Sequence, residues 1–434
     1  MIDLPPPTRR RVLQGAAAGL GVGVGGLTLA RLLPERGTSH PDPDVRHVRW
    51  AASSNDQNLV DSRQVLISAF QKAYPEITVE LRLVPFGTDA ARAALTDLVS
   101  AGADGPDVYL GDVIWPAEFA AKHLAMPLDG EFHQDFWARF DKVVLNASRW
   151  QERIYAVPYF ANRSVLYYRP DLLRRVHRPV PTTWEELADT AARLRTVGRI
   201  PHQIVWQGDA YEGLTCVWTE FAASAGGGST SDDQSRATID TPPCTRALRY
   251  LRSMIDRGLA RPDVPSLREP QTTELFVNDE VAFMRGWNTA DTALATSPEK
   301  YAAAPLPTFA GRPAPGPSTI GGWSMFVNPH TRRLDAARTF IDWMTRPPAQ
   351  RTLSRYGQMP ANDGVLRDLM IDNDSPVLDV ARRVSSVARP ANTPHYPELS
   401  RAIYTNIHRA LLGSVSPEQA LADAQRDITT ALRT

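Results

Sequence analysis

The stretch IYAVPYFANRSVLYYRP, residues 154–170, decides how the rest of the chain is interpreted. Its two runs IYAVPY and SVLYY are rich in the β-branched and aromatic residues that favour strands. The spacer between them lacks the Asn-Gly or Gly-containing pair of a tight hairpin, and Pro158 has no N–H for a strand ladder. We therefore predict that the chain runs on from one sheet into another here, separating two lobes with a ligand cleft beside Asn162 and Arg163.

Length and composition are those of a soluble globular protein with more than one core. At 434 residues the chain is longer than an ordinary single domain. It is 43% hydrophobic and 22% charged, with 48 basic residues against 48 acidic residues. A nucleic-acid-binding surface normally shows as a basic excess or cluster, so no nucleic-acid partner is predicted.

The first 33 residues resemble an export signal. Arginines at positions 9–11 precede a run rich in Gly, Ala, Leu and Val, as in a twin-arginine signal. The alternative is a simple membrane anchor, although so many glycines make a poor membrane-spanning helix. We expect an exported protein of the periplasm or cell envelope, tethered to the membrane if this segment is not cleaved. Residues 34–45 are interpreted as a flexible tether.

Cys216 and Cys244 are the only cysteines. Their spacing fits neither a zinc cluster nor a redox Cys-x-x-Cys pair. In an exported protein they could form one disulfide, and two unpaired buried thiols are the other interpretation.

No enzyme motif is present. The chain lacks a Gly-x-Ser-x-Gly elbow, a P-loop, a His-Glu-x-x-His pair and a dinucleotide fingerprint. The histidines are scattered along the chain. We therefore predict no enzyme activity, no cofactor and no metal site.

Tryptophans beside small or hydrogen-bonding residues recur at the ends of predicted strands. Ligands of open α/β sheets bind beyond the carboxyl ends of strands. An aromatic ring stacks on the C–H face of a pyranose, while carboxylate, amide and guanidinium groups bind its hydroxyls. This pattern predicts a sugar site. The candidate ligand-binding residues are Asp56, Asp112, Trp115, Asn162, Glu212, Trp287, Asn288, Gly321, Gly322, Trp323 and Arg389.

Several candidates have a structural alternative. Asp112 could cap the following helix, and Glu212 lies in a first helical turn, where the dipole alone favours a carboxylate. Trp287 could belong to the core. The Gly321-Gly322 pair could form a bulge or tight turn, and Arg389 could pair with a surface carboxylate.

A set of short motifs spans most of the chain. They are AVPY through YYRPDLL at 156–173, PTTWEEL at 181–187, 276–287, LPTF at 306–309, TIGGW at 319–323 with 336–343, and GQMPA at 357–361. As a set they resemble the extracellular solute-binding proteins of carbohydrate ABC transporters, the maltose-binding-like family. The resemblance implies an α/β fold of two lobes, the type II periplasmic-binding-protein fold, with a ligand cleft and several hinge crossings. It places residues 46–160 and 306–346 in lobe 1, and 161–305 and 347–434, with a helix-rich C-terminus, in lobe 2.

Within that family the chain is most similar to mycobacterial and archaeal trehalose or maltose binders. The matching pieces are LGDVIWPAEF at 110–119, Glu212-Gly213, TIGG at 319–322 and VARPA at 387–391. The resemblance implies ligand contacts at Asp112, Asn162, Trp287, Gly321, Gly322 and Arg389.

The function implied is the substrate-binding component of an ABC sugar importer. The protein would be a monomer that captures a carbohydrate and delivers it to membrane permease subunits. An alternative is a binder of amino sugars, because Asp56, Asp112 and Glu212 could make the cleft acidic, or of glycerophosphodiesters. A different class is an exported glycan hydrolase that uses Asp112 and Glu212 as its carboxylate pair.

Overall fold

The computed structural model describes residues 45–54, 61–198, 200, 202–294, 299–372 and 376–433. Asp56, the predicted export signal and residues 34–44 of the predicted tether lie outside the described residues. Among the helices that are described, none combines the length and the apolar character that crossing a membrane requires.

Strands and helices alternate along most of the chain. The strands are β1 (His47–Ser53), β2 (Thr78–Val84), β3 (Val108–Asp112), β4 (Arg149–Trp150), β5 (Arg153–Ile154), β6 (Val157–Asn162), β7 (Ser164–Tyr168), β8 (Ile204–Val205), β9 (Phe283–Trp287), β10 (Ala302–Ala304), β11 (Ser318–Thr319), β12 (Gly321–Val327), β13 (Met359–Pro360) and β14 (Ser386–Val387). The helices are α1 (Ser62–Ala73), α2 (Thr88–Ser100), α3 (Pro116–Ala121), α4 (Gln134–Trp137), α5 (Lys142–Asn146), α6 (Pro170–Arg175), α7 (Trp184–Thr196), α8 (Glu212–Ala225), α9 (Pro242–Asp256), α10 (Glu269–Val277), α11 (Asp291–Leu294), α12 (Leu334–Met344), α13 (Pro347–Arg355), α14 (Asp363–Asp372), α15 (Pro376–Arg383), α16 (Tyr396–Leu411) and α17 (Pro417–Ala431).

Two larger sheets form the centres of two lobes. In the described part of the chain, the first sheet has six strands in the order β13-β6-β12-β3-β1-β2, and the second has four in the order β10-β7-β9-β8. Strand β1 pairs in parallel with β2 and β3, whereas β12 lies antiparallel between β3 and β6. In the second sheet β7 is antiparallel to β9 and β10.

The chain crosses between the sheets where the sequence predicted. Strand β6 belongs to the first sheet and β7 to the second, with Arg163 alone between them. Pro158 is tolerated within β6 because it pairs next to a bulge, where the register of β12 shifts between Trp323 and Ser324. The predicted crossing is confirmed, although β6 runs further than predicted, to Asn162.

Core clusters cover both faces of the first sheet at β1. Trp50 in β1 faces α12, and its ring centroid lies 5.2 Å from that of Phe340. Its neighbour Ala51 points to the opposite face and packs in the cluster that contains Phe119 of α3. Val48, Trp50 and Ala52 form the apolar face of β1, whereas the opposite face carries the half-buried His47 and Arg49 beside the buried Ala51.

Helix α8 is the central helix of the second lobe. All its residues except Ala223 are buried, and it packs against α9 and α16. Trp184 at the start of α7 stacks on Phe221 of α8, with ring centroids 4.1 Å apart. Because α8 is enclosed by other helices, its polar residues must find partners inside the protein.

Two lobe boundaries differ from those expected. Leu306 and Phe309 belong to the core of the second lobe, so the chain rejoins the first sheet at Gly321 and not at residue 306. The expected return to the second lobe at residue 347 is also wrong, because α13 packs in the first-lobe core and β13 adds to the first sheet. The buried amide of Gln350 attaches α13 to the first sheet. It donates to the carbonyl of Tyr159 in β6 and accepts from the N–H of Ala361, directly after β13.

Candidate functional site

Strand β12 brings the predicted binding residues together where the lobes meet. Gly321 pairs with Asn162 at the end of β6, and Trp323 pairs with Asp112 at the end of β3. Trp287 ends β9, beside the first residue of β7. Residues that are far apart in the sequence therefore lie side by side at the junction of the two sheets.

Arg389 joins a carboxylate of each lobe. Its Nη2 donates to Asp112 Oδ1 over 3.0 Å, and its Nη1 donates to Glu212 Oε1 over 2.7 Å. Asp112 ends a strand of the first sheet, and Glu212 begins α8 in the second lobe. All three side chains are at least nine-tenths buried. The predicted alternative of a surface carboxylate as the partner of Arg389 is wrong, because both of its carboxylate partners are buried.

The neighbouring carboxylates keep the Arg389 guanidinium charged. Burial alone would lower the pKa of Arg389, but the carboxylates of Asp112 and Glu212 raise it well above its ordinary value. Burial raises the pKa of Glu212, against the attraction of Arg389. Glu212 also accepts hydrogen bonds from Tyr396 Oη over 2.5 Å and Ser400 Oγ over 2.6 Å.

Asp112 does not cap the following helix. The N-cap of α3 is Trp115, and Asp112 Oδ1 instead accepts from the N–H of Ile114 over 3.3 Å. Its other oxygen accepts from Thr88 Oγ1 over 3.4 Å. The carboxylate is thus directed toward the lobe junction and Arg389.

Trp287 is a half-buried ring with fixed surroundings. The guanidinium of Arg285 lies over it, 4.3 Å from the ring centroid, and its Nε1 donates to Glu269 Oε1 over 3.4 Å. Gly321 adjoins the ring edge, since a β-carbon there would be 2.9 Å from Cζ3. The same β-carbon would be 3.3 Å from Cβ of Asn162, whose Oδ1 has no hydrogen-bond partner in the described part of the chain. A half-buried ring beside a buried amide oxygen without a partner combines an apolar face with an unused acceptor, which suits a polar ligand with an apolar face.

Most of the chain also matches a known protein family. The family described as bacterial extracellular solute-binding protein matches residues 56–351. The chain belongs to this family.

The relatives described here cover 79–88% of this solute-binding protein. A probable ABC transporter-binding protein of Deinococcus radiodurans is 31% identical over 365 residues, which cover 79% of this chain and 84% of that protein. The mannitol-binding protein of Pseudomonas aeruginosa is 24% identical over 411 residues, 88% of this chain and 92% of that protein. The maltose-bound structure of T. maritima MalE3 superposes with a TM-score of 0.80 at 27% identity, covering 88% of this chain and 99% of that one. The fold is the two-lobe fold of maltose-binding proteins.

Two of the predicted ligand contacts have structural roles in this solute-binding protein. The amide of Asn288 is fully buried; its Oδ1 accepts from the N–H of Arg163 and its Nδ2 donates to the carbonyl of Gly357. Trp115 is enclosed in the first-lobe core, stacked on Phe119 at 5.2 Å. Trp323, which contacts the edge of Trp115, is the half-buried ring of that pair. The interpretation of Asn288 and Trp115 as ligand contacts is corrected to support of the crossing and of the core.

Gly322 is needed for strand packing. Its φ is +135°, and a β-carbon would lie 2.4 Å from the carbonyl oxygen of Phe160. The register shift follows at the next residue, so the alternative of a bulge at the double glycine is the better description of Gly322. The backbone that approaches it closely is that of β6.

Cys216 and Cys244 are both free and buried. Cys216 lies in α8 one turn after Glu212, and Cys244 lies in the first turn of α9. The disulfide that the sequence left open is therefore absent. The second interpretation, two buried thiols, is the one the structure has.

The sequence reasoning missed an ionic network behind the site. Arg285 donates to both carboxylate oxygens of Glu220, over 2.9 and 2.6 Å, and to Gln207 Oε1 over 2.8 Å. Glu220 Oε1 also accepts from Ser164 Oγ in one crossing segment and from the N–H of Thr319 in the other. A charge within each of two apolar segments, α8 and β9, was the available signal, since buried charges need partners.

Proposed function

We propose that this solute-binding protein captures a carbohydrate between its lobes and delivers it to the permease of an ABC importer. The observation that carries the proposal is the Trp287 ring, half-buried at the lobe junction beside Gly321 and the unpartnered Asn162 Oδ1. A ring face and a nearby amide oxygen match the C–H face and the hydroxyl donors of a pyranose.

The relatives support this ligand class. The Pseudomonas aeruginosa relative is a mannitol-binding protein, and the T. maritima structure contains maltose. Ligands of both are neutral polyhydroxylated molecules. We extend this chemistry to the present chain, with Asn162, Trp287, Gly321 and Trp323 as the proposed contacts and the Asp112, Arg389 and Glu212 bridge as the element that holds the lobes together.

The rival proposal of a glycan hydrolase conflicts with the position of Arg389. Glycosidases place two carboxyl groups on either side of the bond that is cleaved. Here one guanidinium binds both Asp112 and Glu212 directly, which occupies the interval a substrate would need. We therefore propose that the protein binds its sugar without cleaving it.

A thermal-shift screen of the purified protein tests the proposal. The panel contains maltose, trehalose, mannitol, glucosamine, glucosamine phosphates and glycerophosphodiesters. A ligand at 100 times its dissociation constant adds about 2.7 kcal/mol to the unfolding free energy, which raises the melting temperature. We expect a neutral sugar or polyol to raise the melting temperature, and we expect this shift to be lost in Trp287→Ala. The control is Trp343→Ala, which should keep the shift because Trp343 is a half-buried residue of α12 in the first lobe, outside the proposed site.

The other outcomes are informative. A shift with glucosamine alone would assign the amino-sugar alternative, and one with the phosphodiesters would assign that class. Release of glucose from maltose or trehalose by the wild-type protein, lost in Glu212→Gln, would establish the hydrolase instead. No shift with any member of the panel would reject a simple carbohydrate as the ligand.

A further inference from the structure

One carboxylate orients two aromatic rings beside the junction of the lobes. Glu269, in the first turn of α10, accepts from Tyr211 Oη over 2.6 Å and from Trp287 Nε1 over 3.4 Å. Tyr211 immediately precedes α8, and Trp287 ends β9. Glu269 therefore connects two rings from separate segments of the second lobe: Trp287 of the candidate site, and Tyr211, which directly precedes Glu212.

The Trp287 ring is restrained at three places. The Arg285 guanidinium covers one face, Glu269 binds the indole nitrogen, and Gly321 adjoins the six-membered ring. Arg285 is itself immobilised by Glu220 and Gln207. In the proposed function the ligand stacks on the face opposite Arg285. The plane of that face depends on the hydrogen bond to Glu269, because the torsion that turns an indole about its Cβ–Cγ bond has broad wells of its own.

Tyr211 is restrained in the same manner. The Arg268 guanidinium lies over its ring, 4.6 Å from the centroid, and a β-carbon on Gly213 would overlap its hydroxyl end. Burial, and then the Glu269 carboxylate, raise the pKa of Tyr211 well above its ordinary value. The hydroxyl thus keeps its proton and acts as the donor to Glu269.

We propose that Glu269 is a positioning residue for ligand binding, which fixes the Trp287 ring in the orientation that the ligand meets and is itself held in place by the Tyr211 hydroxyl. This inference rests on the proposed function, in which a neutral sugar or polyol stacks on Trp287. A ring that is already oriented loses less side-chain entropy on binding, so affinity should depend on Glu269 without contact between Glu269 and the ligand.

Affinity measurements on variants of α10 test this role. The probe is whichever of maltose, trehalose and mannitol binds the wild-type protein, followed by calorimetric titration. Glu269→Ala should weaken binding about tenfold, because the freed side chains must then be ordered when the ligand binds. Glu269→Gln keeps one acceptor oxygen, so its dissociation constant should lie between those of the wild type and Glu269→Ala. Glu274→Ala, on the same helix with an exposed side chain, is the matched control and should bind like the wild type.

A mutant cycle separates positioning from other roles. Tyr211→Phe and Trp287→Phe keep aromatic rings but remove the two donors that Glu269 accepts from. In the Tyr211→Phe/Trp287→Phe double variant, Glu269→Ala should have no further effect on the dissociation constant. A loss of the same size in both backgrounds would overturn the proposal, because Glu269 would then act on the ligand by contact or charge. Unchanged affinity in Glu269→Ala would overturn it as well.

A ligand-free spectrum keeps the two proposals distinguishable. Near-ultraviolet circular dichroism reports the asymmetric surroundings of aromatic rings, and the wild type minus Trp287→Phe difference isolates the Trp287 band. That band should be diminished in Glu269→Ala and retained in Glu274→Ala. If no sugar binds the wild type, the carbohydrate proposal fails on its own, whereas an unchanged Trp287 band in Glu269→Ala rejects the positioning role directly.

Discussion

Gly321 lies so close to Trp287 that a β-carbon on the glycine would come within 2.9 Å of the indole Cζ3. The glycine belongs to β12 in the first sheet, and the tryptophan ends β9 in the second sheet. The contact therefore joins the two lobes at the proposed binding surface. It also gives a physical reason for a residue without a side chain at this position: any β-carbon would displace the ring.

Gly321→Ala should displace the Trp287 ring. Inserting a methyl group into a filled space costs about 1–3 kcal/mol of unfolding free energy, and the ring should lose its ligand-free circular-dichroism band. Urea unfolding and the near-ultraviolet spectrum measure the two effects. Gly130→Ala is the control, because no atom lies within 4 Å of the β-carbon it would add. Equal stability of both variants would contradict the proposed contact.

Removing Arg389 should be strongly destabilising. In Arg389→Ala the buried carboxylates of Asp112 and Glu212 lose their counter-ion, and breaking one partner of a buried ion pair costs about 3–5 kcal/mol. The comparison is Arg193→Ala, since Arg193 pairs with Asp189 on the surface with more than half of each side chain exposed. Such exposed pairs contribute about 0–1 kcal/mol. Denaturant unfolding measures the loss of unfolding free energy in each variant. Losses of similar size in Arg389→Ala and Arg193→Ala would contradict a buried bridge.

Glu212 should make stability depend on pH. Burial raises its folded-state pKa above the ordinary value of 4.5. A group with a raised folded-state pKa contributes stability that is fully present below the ordinary value and is lost as the pH rises through the folded-state value. The wild type should therefore lose unfolding free energy relative to Glu212→Gln as the pH is raised from below 4.5, until Glu212 is ionised in the folded protein as well. Urea titrations of the two proteins across this window measure the difference. A difference that does not vary with pH would show that the folded-state pKa of Glu212 is ordinary.

The Glu220 and Arg285 pair should contribute far more to stability than a surface pair. Both side chains are 1% exposed, and Glu220 also binds both crossing segments through Ser164 and Thr319. We expect Glu220→Ala to cost about 3–5 kcal/mol of unfolding free energy because Arg285 is left buried and unpaired. Glu185→Ala removes the exposed pair with Arg246 and should cost about 1 kcal/mol or less. A small loss in Glu220→Ala would mean that water reaches Arg285.

The two cysteines should be unreactive in the folded protein. Burial raises the pKa of both thiols, and the thiolate is the reactive form. A thiol-specific reagent such as Ellman's reagent should label neither Cys216 nor Cys244 under native conditions and both of them in denaturant, without prior reduction. Only one or no thiol titrated after unfolding would contradict the free state of both residues.

Local sequence determined the secondary structure around the crossing and the strand ends that carry candidate site residues. The strand-forming runs on either side of the crossing, the strand ends that carry Asp112 and Trp287, and the capping box of Thr183 and Glu186 are all present in the structure. These features depend on interactions between residues close together in the chain, which composition and spacing report directly. The family could be recognised because its motifs lie in the same order along the chain.

Tertiary structure alone decided how the site is assembled. Arg389 is 277 residues from Asp112 and 177 residues from Glu212 in the sequence, and no local pattern relates them. Sequence reasoning assigned Asn288 to the ligand, whereas packing of the crossing against Gly357 gives its amide a structural role. It also ended the first lobe at residue 346, before α13 and β13. The physical reason is common to these cases: strand register and the meeting of two cores determine which side chains become neighbours, and both depend on contacts across the whole fold.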